Sequence, residues 1–127
     1  KGRIMMGNTL REMADNIEDA TMLDAERGEE IIAALRAAAP EIDPQGTLTP
    51  DRLLSTDMVT DLIDRVLPGW AISMEGTASR SHGHWTCTLR MSGVRDNDAY
   101  LGVGHGPRLP LVLLAALLKA TAARPAD

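Results

Sequence analysis

Three histidines and one cysteine are the residues of this chain best suited to metal binding or nucleophilic catalysis. His82 and His84 stand two positions apart and close to Cys87, and imidazole and thiolate groups can share a zinc ion. Cys87 could also act as a nucleophile with His84 or His105 as its base. In a strand that begins near His84, however, His84 and Cys87 point to opposite faces. The pattern therefore favours solvated histidines and an inert thiol in the core, and we expect no metal or other cofactor.

A glycine-rich segment, Gly102-Val-Gly-His-Gly-Pro107, precedes the most apolar part of the chain. Backbone N–H groups in such segments bind phosphates when a helix follows. This segment lacks the Gly-Lys-Ser or Gly-Lys-Thr ending of a P-loop. We therefore interpret it as a crossover loop from sheet to helix, in which glycine allows close backbone packing. Anion capture by the loop together with Arg108 is the less favoured alternative.

The charge of the chain is uneven along its length. The net charge is −5, with fourteen acidic and seven basic residues in positions 1–67 and four acidic and six basic residues in positions 68–127. An acidic surface can bind a basic partner or imitate nucleic-acid phosphates, although −5 is modest for a mimic. A solvated helical region is the simpler explanation. The carboxylates assigned to the candidate acidic surface are Glu12, Asp15, Glu18, Glu29 and Asp61.

The composition is that of an ordinary globular protein, with 44% apolar and 24% charged residues. Phenylalanine is absent, so the core must be aliphatic. Because Cys87 is the single cysteine, no internal disulfide can form. No basic and apolar leader segment is recognisable, so nothing in the sequence indicates secretion, and we expect a cytoplasmic location.

The longest apolar stretch, Leu109-Pro-Leu-Val-Leu-Leu-Ala-Ala-Leu-Leu-Lys-Ala120, predicts a helix over 110–122. Pro110 suits the first helical position because it lacks an N–H group. Apolar residues occur on both sides of this helix, so both sides must be buried. About ten apolar residues are too few to span a bilayer, which needs roughly twenty. One side is expected to face a sheet, and the other a second layer or another subunit, which makes a homo-oligomer an open alternative.

Residues 8–39 predict a helical hairpin that precedes the main domain. Thr9 and Glu12 have the spacing of a capping box, so the first helix should begin at Thr9. Asp24 is suited to cap the second helix, and Pro40 should end it.

The segment 48–122 predicts an α+β domain with the order helix–β–β–β–helix. Pro50 begins the first helix, as one turn at 50–54 and then a helix from position 56. Three short strands with alternating apolar residues follow, which is typical of a three-stranded antiparallel sheet with one covered face. The apolar positions are Trp70, Ile72 and Met74, then Trp85, Cys87, Leu89 and Met91, then Ala99, Leu101 and Val103. The opposite, polar face is a possible binding surface or simply a solvated one, and it carries Ser73, Glu75, Thr86, Thr88, Arg90 and Tyr100.

Three stretches of the sequence resemble small phage and prophage proteins that carry the phage ABA sandwich domain. They are Met13-Ala-Asp-Asn-Ile-Glu-Asp-Ala-Thr21, then Leu67-Pro-Gly-Trp70 with His84-Trp85, and the apolar segment 109–120. The resemblance implies a phage or prophage origin and a sandwich of helices and sheet. It implies no enzymatic activity for any residue.

The order of the elements is also similar to that of a double-stranded-RNA-binding domain. That family holds phosphates with lysines at the start of its last helix, whereas this chain has only Arg108 there. Because phosphate affinity grows with the number of cations in contact, nucleic acid is not an expected partner.

These observations favour a non-enzymatic phage or prophage accessory protein that binds a macromolecule, with a protein as the expected partner and no membrane contact. One version is an inhibitor of a host defence complex. The partner-binding residues would be Glu12, Asp15, Glu18, Glu29, Asp61, Arg90, Tyr100 and Arg108. The alternative is a small metal-dependent or hydrolytic enzyme that uses His82, His84 and His105.

Overall fold

The computed structural model describes residues 2–43, 45–77, 83–91 and 102–123, with side chains from position 9 onward. The fold is α+β, as predicted, with four α-helices, two short 3₁₀ turns and one three-stranded antiparallel sheet among these residues. His82 and Tyr100 lie outside them, as do positions 99–101 of the predicted third strand and the predicted turn at 92–97. The elements are α1 (Gly2–Glu18), α2 (Ala25–Ala38), the 3₁₀ turns Pro40–Ile42 and Pro50–Leu54, α3 (Thr56–Val66), β1 (Ala71–Thr77), β2 (His84–Arg90), β3 (Gly102–Gly106) and α4 (Leu109–Ala123).

The helical hairpin is present, but its first helix is longer than predicted. The Asp24 side chain accepts a 2.7 Å hydrogen bond from the Arg27 N–H and caps α2, as the sequence indicates. The prediction that the first helix begins at Thr9 is wrong, because α1 begins at Gly2. No proline stands between these positions to stop the helix, so the capping-box spacing at Thr9 lies inside it.

The predicted start of α3 is confirmed. Pro50 opens a 3₁₀ turn, and the chain then becomes extended at Ser55. The Ser55 hydroxyl accepts a hydrogen bond from the Met58 N–H and caps α3.

Asp43 holds the linker between α2 and α3 in one conformation. Its carboxylate is almost completely buried and accepts hydrogen bonds from the Arg36 guanidinium at 2.6 Å and from the N–H groups of Thr47 and Leu48 at 3.0 Å. The bond from Arg36 is the main reason that the pKa of Asp43 falls to about 2. Asp43 is therefore a structural carboxylate with its acceptor sites occupied.

The sheet has the order β1–β2–β3, and Cys87 defines its inner face. Cys87 pairs with Met74 of β1 and with Gly104 of β3, so the three residues lie on that face. Cys87 and Leu89 are fully buried, as predicted. Ile72 of β1 is half-buried against the core, but Met74 is 41% exposed, so the expectation that the whole apolar face is covered is wrong at Met74.

The glycine-rich segment is a strand, so its interpretation as a crossover loop is wrong, whereas the close backbone packing predicted for its glycines is confirmed. In β3, Gly102, Gly104 and Gly106 occupy the inner face, whereas Val103 lies on the outer face opposite Thr88. A Cβ atom at Gly104 would stand 2.4 Å from the carbonyl oxygen of Val112 in α4. Side chains on this face would push the helix away, so glycine is required by the packing rather than by a turn.

Helix α4 lies between two layers, as predicted. Every residue from Leu111 to Leu118 is fully buried. One side of α4 packs against β2 and β3, and α1 covers the other side, with further contacts from α3. Because α1 covers the second apolar stripe, the stripe gives no reason to expect another subunit on α4.

The hairpin and the αβββα segment share one cluster of buried apolar side chains. Ile17 of α1, Ile32 of α2, Leu62 of α3 and Leu89 of β2 all belong to it. None of the described helices is both long and apolar enough to cross a membrane.

Substitution of Gly104 by alanine should destabilise the protein. Alanine usually favours a strand by roughly 0.5–1 kcal/mol over glycine, but here its Cβ would overlap a backbone oxygen that cannot rotate away. We expect a net loss of about 2 kcal/mol in the free energy of unfolding, measured by urea denaturation. Ser73→Ala, on the exposed face of β1, is the control and should change it by less than about 0.5 kcal/mol. Equal effects of the two substitutions would contradict the close packing of α4 on β3.

Candidate functional site

The outer face of the sheet is the main polar surface that the strands build. Inner positions of β2 carry Cys87 and Leu89, so His84, Thr86 and Thr88 project to the outer side together with exposed Arg90. The helices that contact the sheet, α1 and α4, pack on its inner side or at the edge of β3. The outer face is therefore open among the described residues, and register places four side-chain rows across it, Glu75–Thr86–His105, Ser73–Thr88–Val103, Thr77–His84 and Ala71–Arg90.

Two histidines are brought together on this face. The rings of His84 and His105 are stacked, with centroids 6.3 Å apart and planes inclined by 15°. The Thr86 hydroxyl lies 3.1 Å from Nδ1 of His105 and forms a hydrogen bond with it. A metal ion lies in the plane of each imidazole that binds it, and stacked planes do not share such a point. Within the described ranges, no group of three His, Cys, Asp or Glu side chains could hold a metal ion.

Cys87 lies on the opposite face of the sheet from both histidines. Its side chain is fully buried, and this burial raises the pKa of the thiol to about 11. The thiolate needed for nucleophilic attack is therefore disfavoured. The sequence prediction that Cys87 faces the core is confirmed. The less favoured alternative, a pairing of Cys87 with His84 or His105, is excluded because the sheet separates these side chains.

The free edge of β3 is closed by an ion pair that sequence reasoning missed. The Glu18 carboxylate accepts a hydrogen bond from the backbone N–H of His105 at 2.8 Å. The Lys119 ammonium donates to the backbone oxygen of Val103 at 3.0 Å and to Glu18 at 2.8 Å. Lys119 is the single charge in α4, and a lone lysine in such an apolar helix could have indicated that it has a specific partner, although not which one.

Arg108 is also engaged within the chain. Its guanidinium donates a 2.7 Å hydrogen bond to the backbone oxygen of Thr21, at the end of the α1–α2 turn. This contact, together with the strand conformation of 102–106, removes the basis for an anion-binding loop.

The carboxylates of the predicted acidic surface lie in different parts of the structure and have different partners. Glu18 belongs to the β3 edge, and Asp15 lies 4.0 Å from the same lysine, Lys119. Asp61 forms an exposed ion pair with Arg65 at 3.0 Å. Glu29 is exposed on α2.

Two shallow grooves accompany these surfaces. Glu12 lines one of about 290 Å³ between α1 and α2, and Asp43 lines the other, of about 330 Å³, beside the linker. Both are open to solvent. The described lining of the groove beside the linker is polar, whereas that of the groove between α1 and α2 also includes apolar side chains. The groove between α1 and α2 is lined by Thr9, Glu12, Met13, Asn16, Arg27, Glu30 and Ile31.

Comparisons of the chain with protein-family models, curated proteins and solved structures found no match.

The folded protein should react slowly with a thiol reagent at Cys87. The raised pKa alone lowers the thiolate fraction on the order of 100-fold near pH 8, and burial blocks access as well. A Ser73→Cys variant provides an exposed thiol in the same fold as the control. We expect one rapidly and one slowly modified thiol in this variant and only the slow one in the parent chain. Rapid labelling of the parent chain before unfolding would contradict the buried position of Cys87.

Proposed function

We propose that this chain is a non-enzymatic accessory protein of a phage or prophage that binds another protein through the outer face of its sheet. The observation that carries the proposal is that this face is polar and uncovered among the described residues. In addition, Cys87 lies on the opposite side of the sheet from His84 and His105. The proposed phage origin rests on the resemblance of three sequence stretches to the ABA sandwich domain, and the proposal includes a location in the cytoplasm of a host bacterium.

The side chains of the outer face suit a protein partner better than a nucleic acid. The rows contain one acidic residue, Glu75, among hydroxyl and imidazole groups, with Arg90 at the end of β2. Phosphate binding requires several cations in contact with the backbone of the nucleic acid. Arg108 and Lys119 already bond within the chain, and Arg90 is the one fully charged cation among the described residues of the outer face.

The version in which carboxylates imitate phosphates to inhibit a defence complex has less support. Glu18 is occupied by His105 and Lys119, and Asp61 by Arg65. A phosphate mimic needs carboxylates that remain available to a partner's arginines and lysines. Binding of a partner through the outer face of the sheet does not depend on these carboxylates.

The enzymatic alternative has no supporting geometry among the described residues. His84 and His105 are stacked rather than directed at one point, and Cys87 is on the other face. His82, the third residue of that alternative, lies outside the described residues.

A pull-down with a matched pair of charge reversals tests the proposal. Glu75→Arg changes the outer face of the sheet, and Glu29→Arg makes the same change at an exposed position of α2. Tagged full-length protein, incubated with lysate of a bacterial host, should retain a stoichiometric protein partner. We expect Glu75→Arg to reduce the partner's affinity at least about ten-fold, equivalent to roughly 1.4 kcal/mol, and Glu29→Arg to leave it unchanged. Loss of the partner with Glu29→Arg alone would place the binding surface on the helices and contradict the proposal.

A further inference from the structure

The two edges of the sheet differ in how their backbone groups are satisfied. At β3, Glu18 and Lys119 bond to the outward N–H of His105 and the outward C=O of Val103. At β1, the described residues provide neither a neighbouring strand nor a side chain that bonds to the edge. An open strand edge of this kind is a template for pairing with another strand.

The register determines which backbone groups of β1 are free. In antiparallel strands, the N–H and C=O of one residue point to the same side, and those of the next residue point to the other side. The N–H and C=O groups of His105 and Val103 point away from β2. Those of Gly104, which lies between them, therefore point toward Cys87 of β2. By the same alternation, the N–H and C=O groups of Cys87 face β3, and those of its neighbour Thr86 face Glu75 of β1. The residues of β1 whose N–H and C=O groups point outward are therefore Ile72, Met74 and Gly76.

The same three residues occupy the inner face of β1, which is open to solvent at Met74. Ile72 packs against the core, and the Trp85 ring lies over Gly76. Met74 is 41% exposed, and the other large apolar side chain with high exposure in the described residues, Met22, lies in the α1–α2 turn. A partner at this edge would have to supply both backbone hydrogen bonds and apolar contact at Met74.

We propose that the partner at this edge is a second copy of the chain, whose β1 pairs antiparallel with the first about a two-fold axis at Met74. Met74 is the middle residue of Ala71–Thr77, so this register overlaps the two strands along their full length. It places Met74 opposite Met74 of the second copy and Ile72 opposite Gly76. The outward N–H and C=O groups of all three residues then form one continuous ladder, and two three-stranded sheets become one six-stranded sheet.

The avoidance of like-charge repulsion favours this register over its neighbours. With the axis at Met74, each Glu75 stands opposite Ser73 of the other copy. With the axis at Glu75, the two carboxylates would stand directly opposite each other, which is destabilising. With the axis at Ser73, the strands would overlap over fewer residues. The sequence of β1 is therefore self-complementary in one register.

The pairing is expected to be weak and reversible. Two seven-residue strands and a pair of methionines bury an area at the low end of protein interfaces, below about 1,200 Å². The inference uses the edge of β1, whereas the proposed function uses the outer face of the sheet, so either can fail while the other holds.

Cysteine cross-linking tests the register directly. The two Met74 positions would form a hydrogen-bonded pair with Cα atoms about 5.5 Å apart, which is within the range that a disulfide spans. The two Ser73 positions would be displaced by two residues, about 7 Å along the strands, beyond easy reach. Under mild oxidation we expect Met74→Cys to form a covalent dimer at least ten times faster than Ser73→Cys. Cys87 is common to both variants and buried, so it does not compete.

Sedimentation of the unmodified chain provides the second measurement, because it does not depend on a substitution that affects folding. We expect the weight-average mass to rise with concentration, and Met74→Lys to hold the protein at the monomer mass. Equal cross-linking of the two cysteine variants would overturn the register. A monomer mass at every concentration up to about 1 mM, the range of very weak complexes, would overturn the self-association and leave the edge to a different protein.

Discussion

The close approach of α4 to the backbone of β3 is the constraint on which the rest of the structure depends. A Cβ atom at Gly102 would lie 2.3 Å from the carbonyl oxygen of Ala116, and one at Gly104 would lie 2.4 Å from that of Val112. The helix therefore packs directly on the backbone of β3, because the glycines of the strand place no side chains on the face that meets the helix. This proximity allows a helix that is apolar all round to be enclosed by a sheet of three short strands and α1. Without it, α4 would expose apolar surface on the side of the sheet.

The single charge of α4 marks where this enclosure ends. Lys119 reaches the edge of β3, where it meets Glu18 and the backbone oxygen of Val103. One ion pair thus connects the end of α1, the edge of the sheet and the last turns of α4. Such an arrangement closes one edge of the sheet against strand pairing. At the opposite edge, β1, the described residues form no equivalent ion pair. The two edges of the sheet therefore differ in their capacity to pair with another strand.

The sequence predicted those elements whose signals are local. The period of two around Cys87 and Leu89, the cap at Asp24 and the apolar stretch from Leu111 all gave correct elements, because each depends on neighbouring residues. The segment 102–106 was assigned wrongly because alternating glycines normally interrupt a strand, and only the contact with α4 explains why they are needed in one. The hydrogen bonds of Glu18 join residues more than eighty positions apart, so no pattern of spacing could have indicated them.

Hydrogen exchange of backbone amides under native conditions tests the packing of α4 on β3 most directly. If α4 is enclosed as described, the amides of residues 112–118 can exchange only when the sheet and α1 separate. We predict that these amides, together with those of Cys87 and Gly104, share one free energy of opening equal to that of global unfolding. Exchange of residues 112–118 at a clearly lower free energy than Cys87 would show that α4 leaves the sheet independently and would contradict the account.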